Sequence, residues 1–368
     1  MHIERVSAEN FLSYRFLDVP FEEGLTVIYG MNAAGKTNLV DAVYLCSLGR
    51  SSRLSKDKDL VKWGSENGCS VSVIVKTRFS RHTVDIVVGS DGKKKVFIDR
   101  LPVRRLGELM GAIGTVFFSP EETKLVRGAP EDRRRFLDIA LSQQNKSYFY
   151  TLKRYNSLLM QRNKILKEYR GKEALGHYLN IVDSDMSRMG AFVAKCRRAF
   201  VKELEGLAAA RHAALTSGSE KLTLKYESDC GESEEEFSKK LLGSRKNDIR
   251  LEFTGVGVHR DDLRIAADGV DLRKFGSQGQ QRTAALALKL AETDVFERRT
   301  GEKPVLILDD VLSELDPRRR EGLFEAVKGV QTLVTCTDPP CVPGAHYYRV
   351  RDGEVIPEDA PSGEESAP

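Results

Sequence analysis

The residues best suited to chemistry lie in one short run, Gly30-Met31-Asn32-Ala33-Ala34-Gly35-Lys36-Thr37-Asn38. Its G-x-x-x-x-G-K-T spacing is that of a P-loop, in which backbone N–H groups and a helix N-terminus surround phosphates. Lys36 would reach the β- and γ-phosphates, and the Thr37 hydroxyl would hold Mg²⁺. All nine residues are therefore candidate nucleotide-binding residues, with ATP and Mg²⁺ as the expected cofactors.

A P-loop requires a strand before it and a helix after it, and the sequence predicts both. Leu25–Tyr29 is apolar, β-branched and aromatic, as in a buried strand, and residues 38–48 suit a helix. The alternative is a chance match in a turn, which these flanking elements disfavour.

A second cluster follows the apolar run Val305-Leu306-Ile307-Leu308, which ends in Asp309 and Asp310. Two carboxylates at the end of a buried strand form a Walker B pattern. Asp309 is the predicted Mg²⁺ ligand beside Thr37, and Asp310 is the predicted catalytic residue that polarises the attacking water. Asp316 follows in a short polar loop and is a further candidate for nucleotide binding.

A third cluster begins an Ala- and Leu-rich helix predicted to end at Gly301. Ser277 is placed as its N-cap, and the glycines allow a phosphate to approach the backbone. The candidate nucleotide-binding residues here are Ser277, Gln278, Gly279 and Gln280.

Two other polar segments leave their interpretation open. The basic segment Gly49–Arg53 suits a phosphate contact and a solvated loop equally well. The segment His259-Arg260-Asp261-Asp262 is predicted to turn outwards between strands at 251–253 and 263–266, where it could line a site.

The remaining pattern indicates how these clusters are positioned. Residues 3–29 predict two or three strands, 70–99 an antiparallel meander, 116–118 and 222–226 single strands, and 332–335 a last buried strand. The rest of 216–240 looks like a polar surface connection.

Between residues 148 and 200 the large side chains follow a 4-3 heptad rhythm, interrupted at Arg162. Two such helices joined near Gly171 and Gly176 predict an antiparallel coiled-coil hairpin, and two ordinary bundle helices are the alternative. Residues 120–215 carry 19 Lys/Arg against 11 Asp/Glu. Within this basic region, Arg133, Arg134 and Arg135 are the candidate DNA-binding residues.

Composition limits the classes of protein. The net charge of the 368 residues is only +4, so the total says nothing about nucleic acid. Six scattered cysteines without a C-x-x-C pair disfavour a zinc site. Without a signal peptide or a membrane-length apolar run, the sequence predicts a soluble, cytoplasmic protein with no membrane partner.

Taken together and in this order, the motifs resemble the RecF family, within the SMC- and Rad50-like group of ABC ATPases. The resemblance covers nearly the whole chain. It also includes Glu9–Tyr14, Ser119–Glu121, Arg133–Asp138 and Gly276–Arg282.

The fold it implies is α/β: a P-loop ABC-type ATPase head with a mixed sheet and an antiparallel meander, plus a helical lobe carrying a short coiled-coil hairpin. The predicted domains are 1–118 and 300–356 for the ATPase lobe, 119–299 for the helical lobe, and 357–368 for a disordered acidic tail.

The family also implies a mechanism. An ATP-dependent homodimer would place the Walker motifs of one protomer against the Ser277 signature of the other, with weak, slow ATP hydrolysis for release. The expected partners are duplex and gapped DNA and the RecR and RecO mediator proteins, and the expected role is to help load a recombinase.

Four positions differ from ABC transporters or from many relatives. Ala33 replaces a P-loop glycine, Gln278 a signature glycine and Asp310 a catalytic glutamate, and no switch histidine follows 332–335. The alternatives are another SMC-like ATPase, a transporter ATPase subunit, and a DNA-binding structural protein with a vestigial site. Intact Lys36 and Asp309 disfavour the last.

Overall fold

The computed structural model describes residues 1–360. Its strands are β1 (His2–Phe11), β2 (Tyr14–Pro20), β3 (Leu25–Tyr29), β4 (Cys69–Lys76), β5 (Arg81–Val88), β6 (Lys94–Ile98), β7 (Leu101–Pro102), β8 (Thr115–Phe118), β9 (Leu222–Glu227), β10 (Asp262–Ala267), β11 (Val270–Asp271), β12 (Val305–Asp309), β13 (Thr332–Cys336), β14 (His346–Arg351) and β15 (Glu354–Glu358). Its helices are α1 (Lys36–Leu48), α2 (Lys124–Arg127), α3 (Pro130–Gln144), α4 (Lys146–Glu168), α5 (Leu175–Thr216), α6 (Glu234–Leu251), α7 (Leu272–Phe275), α8 (Gln278–Thr300) and α9 (Pro317–Ala326).

The chain forms two compact units. Among the described residues, unit 1 comprises 1–122, 214–217 and 286–360, and unit 2 comprises 123–213 and 218–285. The sequence placed these boundaries at 118 and 299. The second differs because α8 runs unbroken through Leu286, and its later turns belong to unit 1.

Unit 1 contains two sheets. An antiparallel sheet has the order β2-β1-β4-β5-β6-β7, and a mixed sheet has the order β15-β14-β3-β13-β12-β8. Helix α1 packs against strands of both and is almost entirely buried. Most of its side chains are apolar, and the buried Asp41 and Ser47 are hydrogen-bonded. The carboxyl ends of β3, β12 and β13 meet at one edge of the mixed sheet, which is where ligands bind in such sheets. The predicted mixed sheet and meander are confirmed.

Two predictions at the carboxyl end of the chain are wrong. Residues 332–335 are not the last strand, because β14 pairs parallel with β3 and β15 returns antiparallel. Pro357 and Glu358, assigned to the disordered tail, pair with Tyr348 and Tyr347. Residues 361–368 of that predicted tail lie outside the described residues.

Unit 2 contains the predicted helical hairpin. Arg162 of α4 pairs with Asp183 of α5, and the rings of Tyr169 and Tyr178 meet near its turn, so the two helices are antiparallel. Five residues of the predicted seam are half-buried, namely Leu152, Leu159, Tyr169, Met189 and Cys196. The others are buried, namely Tyr148, Tyr155, Leu166, Leu175, Leu179, Val182, Met186, Val193 and Phe200, which fits the predicted hairpin. Helix α5 continues to Thr216, beyond the predicted arm, because the Ala- and Leu-rich residues 207–215 favour helix in spite of Gly206. Positive φ at Ser217 and Gly218 ends it.

Unit 2 also corrects the prediction for 216–253. Strand β9 forms as expected, but residues 234–251 form α6 rather than a surface connection. Ser233 caps this helix by accepting a hydrogen bond from the Glu236 amide, and Phe237 and Leu241 bury its apolar face. The strand predicted at 251–253 is therefore wrong, since Leu251 ends the helix.

Candidate nucleotide site

The P-loop conformation depends on its two glycines. Gly30 has φ +151° and Gly35 has φ +116°. A Cβ at Gly30 would lie 2.3 Å from the Val350 oxygen, and one at Gly35 would lie 2.8 Å from Ser13 Oγ. Any larger residue at either position would push the loop away from its neighbours.

Ala33 is the unusual residue of the loop. Its φ is +65°, a left-handed conformation that costs a non-glycine residue roughly 1–2 kcal/mol. Alanine therefore adopts a conformation here that glycine adopts without strain.

Lys36 begins α1 and is buried. Its Nζ donates to the carbonyl oxygens of Gly30, at 2.7 Å, and Met31, at 3.0 Å. The ammonium group is thus held inside the curve of the loop, where an anionic oxygen could be recognised by a charge-assisted hydrogen bond.

Thr37 and Asp309 are brought together although 272 residues separate them. Thr37 Oγ1 donates to Asp309 Oδ1 at 2.9 Å, and Thr335 Oγ1 donates to the same oxygen at 2.6 Å. Burial raises the pKa of Asp309, and these hydrogen bonds and the charge of Arg53 oppose that shift. A hydroxyl and a carboxylate oxygen at this separation fit Mg²⁺, which keeps water and phosphate oxygens as its other ligands.

Asp310 lies outside this buried pair. It is exposed and has φ +54°, so the chain turns sharply where β12 ends. Its amide donates to Thr335 Oγ1 at 3.0 Å, and Ser313 Oγ donates to its carbonyl oxygen at 3.1 Å. These bonds fix the turn and leave the Asp310 carboxylate facing solvent, where it could act on a water molecule.

The basic segment Gly49–Arg53 lies beside the P-loop, and its last residue, Arg53, contacts the nucleotide site. The segment is anchored by Asp41, whose carboxylate accepts from Ser51 Oγ and the Ser52 amide. Arg53 Nη2 donates to Oδ1 of Asn38, the residue after the P-loop threonine, at 2.7 Å. The sequence left the role of Arg53 open and did not predict that Thr335 contacts Asp309. The available signal for Thr335 was a small polar residue on the apolar strand 332–335.

A cleft of about 880 Å³ opens beside the P-loop. One wall is formed by residues 29–34 and the other by the turn between β14 and β15, with Arg349, Arg351 and Gly353. The sequence did not predict this second wall, because it did not predict either strand.

Asp316 caps α9, its Oδ1 accepting from the Arg319 amide at 3.0 Å. Its contact with nucleotide stays a prediction.

In unit 2, Ser277 caps α8 as predicted. Ser277 Oγ accepts from the Gln280 amide at 3.2 Å, and Gln280 Oε1 accepts from the Ser277 amide at 2.9 Å. Ser277 and Gln278 are exposed, and Gly279 and Gln280 are half-buried. The first turn thus presents a hydroxyl and amides that an anion could use.

The three adjacent arginines do not form one surface. Arg133 is buried and forms a two-pronged ion pair with Asp262, and Arg134 donates to the Asp261 carbonyl oxygen at 2.7 Å. Breaking the Arg133 pair would leave a buried charge without a partner. The prediction that Arg133 binds DNA is therefore corrected, because its guanidinium is buried in this ion pair. DNA binding stays a prediction for the half-buried Arg134 and the exposed Arg135.

The segment from His259 to Asp262 also turns inwards. Asp261 is buried, accepts from Arg197 Nη1 at 2.8 Å and bonds to Tyr226. His259 contacts Tyr155 Oη at 2.9 Å, and burial lowers its pKa. His259, Asp261 and Asp262 therefore pack within unit 2, whereas Arg260 is exposed beside the Phe253 ring.

The comparisons with known proteins agree with this geometry. Residues 2–350 match the model of the RecF/RecN/SMC N-terminal domain family. The DNA replication and repair protein RecF of Lachnoclostridium phytofermentans is 42% identical over 92% of this chain and 93% of its own length. The chain belongs to the RecF family of ABC-type ATPases.

Solved structures extend the match to three dimensions. A structure of the recombination mediator protein RecF-ATP in the RecFOR pathway is 33% identical, with a TM-score of 0.88, over 97% of this chain and 98% of that one. The Smc head domain of Pyrococcus furiosus, at 18% identity and a TM-score of 0.57 over 97% of this chain and 96% of that one, shares the fold. The predicted resemblance to RecF is confirmed. No helix within residues 1–360 is both long and apolar enough to span a membrane.

Proposed function

We propose that this RecF-family chain is an ATP-driven switch of recombinational DNA repair. ATP binding joins two protomers around duplex DNA near a single-strand gap, and slow hydrolysis releases them. RecR and RecO are its proposed partners, and recombinase loading is its proposed outcome. The observation that carries the proposal is the contact between Thr37 of the P-loop and Asp309 of the Walker B strand. It occurs in a chain similar to a RecF structure solved with ATP.

Each residue has a proposed role. Lys36 and the loop amides bind the phosphates, and Thr37 and Asp309 hold Mg²⁺, which would offset phosphate charge. Asp310 orients and deprotonates the attacking water from its exposed position. Ser277, Gln278, Gly279 and Gln280 face the γ-phosphate of the partner protomer, and Asp316 lies at the same interface.

The transporter alternative has no supporting observation. At the end of β13 the residue that contacts Asp309 is Thr335, and Cys336 and Thr337 follow it instead of a histidine. A vestigial nucleotide site is disfavoured by the intact contacts of Lys36 and Asp309.

Sedimentation velocity with wild type and Asp310→Asn tests the switch. Wild type should be monomeric without nucleotide and dimeric with ATP and Mg²⁺, and it should return to monomer as ATP is consumed. Asp310→Asn keeps the shape of the side chain but loses the base, so its dimer should persist after the wild-type dimer has dissociated. A dimer that forms equally without nucleotide, or near-normal turnover by Asp310→Asn, would contradict the proposal.

A further inference from the structure

The edge of the antiparallel sheet in unit 1 is strongly basic. From Lys93 to Arg105, across β6 and β7, six Lys/Arg face one Asp, a net charge of +5. The whole chain carries only +4, so the charge is concentrated here. Lys93, Lys95, Arg100, Arg104 and Arg105 are exposed.

The arginines of this edge are not neutralised. Arg100, Arg104 and Arg105 make no ion pair or side-chain hydrogen bond with any residue between 1 and 360. Arg133, Arg162 and Arg197, by contrast, are buried in ion pairs. An arginine whose five donors meet only water is available to a phosphate.

The hairpin that carries Arg100 is held in a costly conformation. Asp99 and Arg100 have φ of +51° and +67°, which non-glycine residues adopt at a cost. The Asp99 carboxylate accepts from the Thr83 amide at 2.8 Å and contacts His82 Nδ1 at 2.7 Å. The turn is therefore fixed, and Arg100 is presented at its tip.

The opposite end of the edge continues to Arg50. Lys94 Nζ donates to the Gly49 carbonyl oxygen at 2.7 Å, and Leu106 lies so close that a Cβ on Gly49 would be 2.5 Å from its Cδ1. Arg50 follows Gly49, is exposed, and likewise makes no ion pair among the described residues.

The size and shape of this edge favour a nucleic acid over an added protein strand. Strand β7 has two residues and includes Pro102, so it offers almost no backbone hydrogen bonds to a partner. The five residues of β6, from Lys94 to Ile98, span roughly 17 Å at about 3.4 Å per residue. Duplex DNA carries about ten phosphates over that length.

We propose that the β6–β7 edge, with Lys95, Arg100, Arg104 and Arg105, binds the phosphate backbone of duplex DNA. This rests on the proposed DNA-binding function and assigns that function a surface, in place of the buried Arg133. Binding here would be sequence-independent, because phosphate contacts carry no base information.

The test compares two triple variants by fluorescence anisotropy of a labelled duplex with ATP, at several salt concentrations. Arg100→Ala/Arg104→Ala/Arg105→Ala removes three cations from the edge. Lys239→Ala/Lys240→Ala/Lys246→Ala removes three exposed cations from α6 as a matched control. The edge variant should lose about 0.9 in the log–log salt slope per lost contact, and at least about tenfold in affinity. The control should match wild type, and both variants should bind ATP normally.

The outcomes separate two failures. If wild type binds the duplex and the edge variant has the same slope and affinity, the edge assignment is wrong, and the surface better suits an acidic protein segment. If wild type itself does not bind the duplex with ATP, the proposed function is wrong and the edge assignment falls with it.

Discussion

At the scale of single residues, the nucleotide site depends on two charged side chains that are buried from water, Lys36 and Asp309. Lys36 lies among loop carbonyl oxygens and is buried, so its charge is weakly screened. Asp309 is an anion that the fold buries at a cost, which two threonine hydroxyls partly offset. Each residue supports its own prediction.

Lys36→Ala should weaken ATP binding by about 1.5–3 kcal/mol or more, because a charge-assisted hydrogen bond to phosphate is lost. Isothermal titration calorimetry measures the change. Lys94→Ala is the control, since Lys94 is a half-buried lysine of unit 1 that donates to the Gly49 carbonyl oxygen and to Asp57. ATP affinity equal to wild type in Lys36→Ala would refute the P-loop assignment.

Asp309→Asn should stabilise the protein at neutral pH in the presence of a chelator. Burial raises the pKa of Asp309, so the folded state loses stability as the pH rises from the unfolded pKa of about 3.9 through the folded value. The amide removes that cost. The gain in melting temperature should be full at pH 7 and vanish near pH 3, where the acid is neutral in both states.

The Asp309→Asn variant should bind ATP with little response to Mg²⁺, in a magnesium titration of nucleotide binding.

Asp310→Asn is the control for the melting experiment, because the Asp310 carboxylate is exposed and has no burial cost to relieve. A lower melting temperature for Asp309→Asn at pH 7 would show that the carboxylate stabilises the fold.

At the scale of elements, the helical hairpin is built around a charge. Arg162 is fully buried in α4, where it pairs with Asp183 at 2.6 Å and Asp248 of α6 at 2.7 Å. Arg245 donates to the second Asp183 oxygen. The residue that interrupts the heptad rhythm therefore ties three helices together.

Arg162→Ala should cost about 3–5 kcal/mol, because it leaves the buried Asp248 carboxylate without an ion-pair partner and leaves Asp183 with Arg245 alone. Arg154 lies on α4, like Arg162, but it is exposed where it pairs with Asp185 of α5. Arg154→Ala should therefore cost at most about 1 kcal/mol. Urea unfolding of both variants gives the comparison. Similar small losses in both would mean that the buried charges contribute nothing net to stability.

At the scale of the whole molecule, the Walker residues belong to unit 1, and Ser277 to Gln280 belong to unit 2. If two protomers build each ATP site, a defect in one motif should be complemented by a partner with a defect in the other.

Ser277→Arg should bind ATP as a monomer with nearly unchanged affinity but should not dimerise. In the proposed dimer, the arginine side chain is too long for the space that the serine hydroxyl occupies between the protomers. The substitution also removes the N-cap of α8. Ser277→Ala, which loses the cap alone, is the control and should still dimerise. Mixing Ser277→Arg with Lys36→Ala should restore one site per heterodimer, seen in sedimentation with ATP. No complementation would contradict a two-protomer site.

The sequence alone determined the parts of this protein that depend on local pattern. The P-loop spacing, the apolar strands ending in Asp309 and the heptad rhythm each encode an element and its chemistry within a few tens of residues. The fold class and the family followed from their order. Capping by Ser277 was readable because a serine followed three residues later by a glutamine satisfies both amides.

Only the tertiary structure decided which charges face water. Arg133, Arg134 and Arg135 are identical in sequence terms, yet the first is buried against Asp262, which follows 129 residues later. The contact between Thr37 and Asp309 and the wall formed by β14 and β15 likewise join distant segments. Burial and ion pairing depend on such long-range contacts, which a local pattern does not record, because the free energy of a charged side chain is set by its surroundings in space.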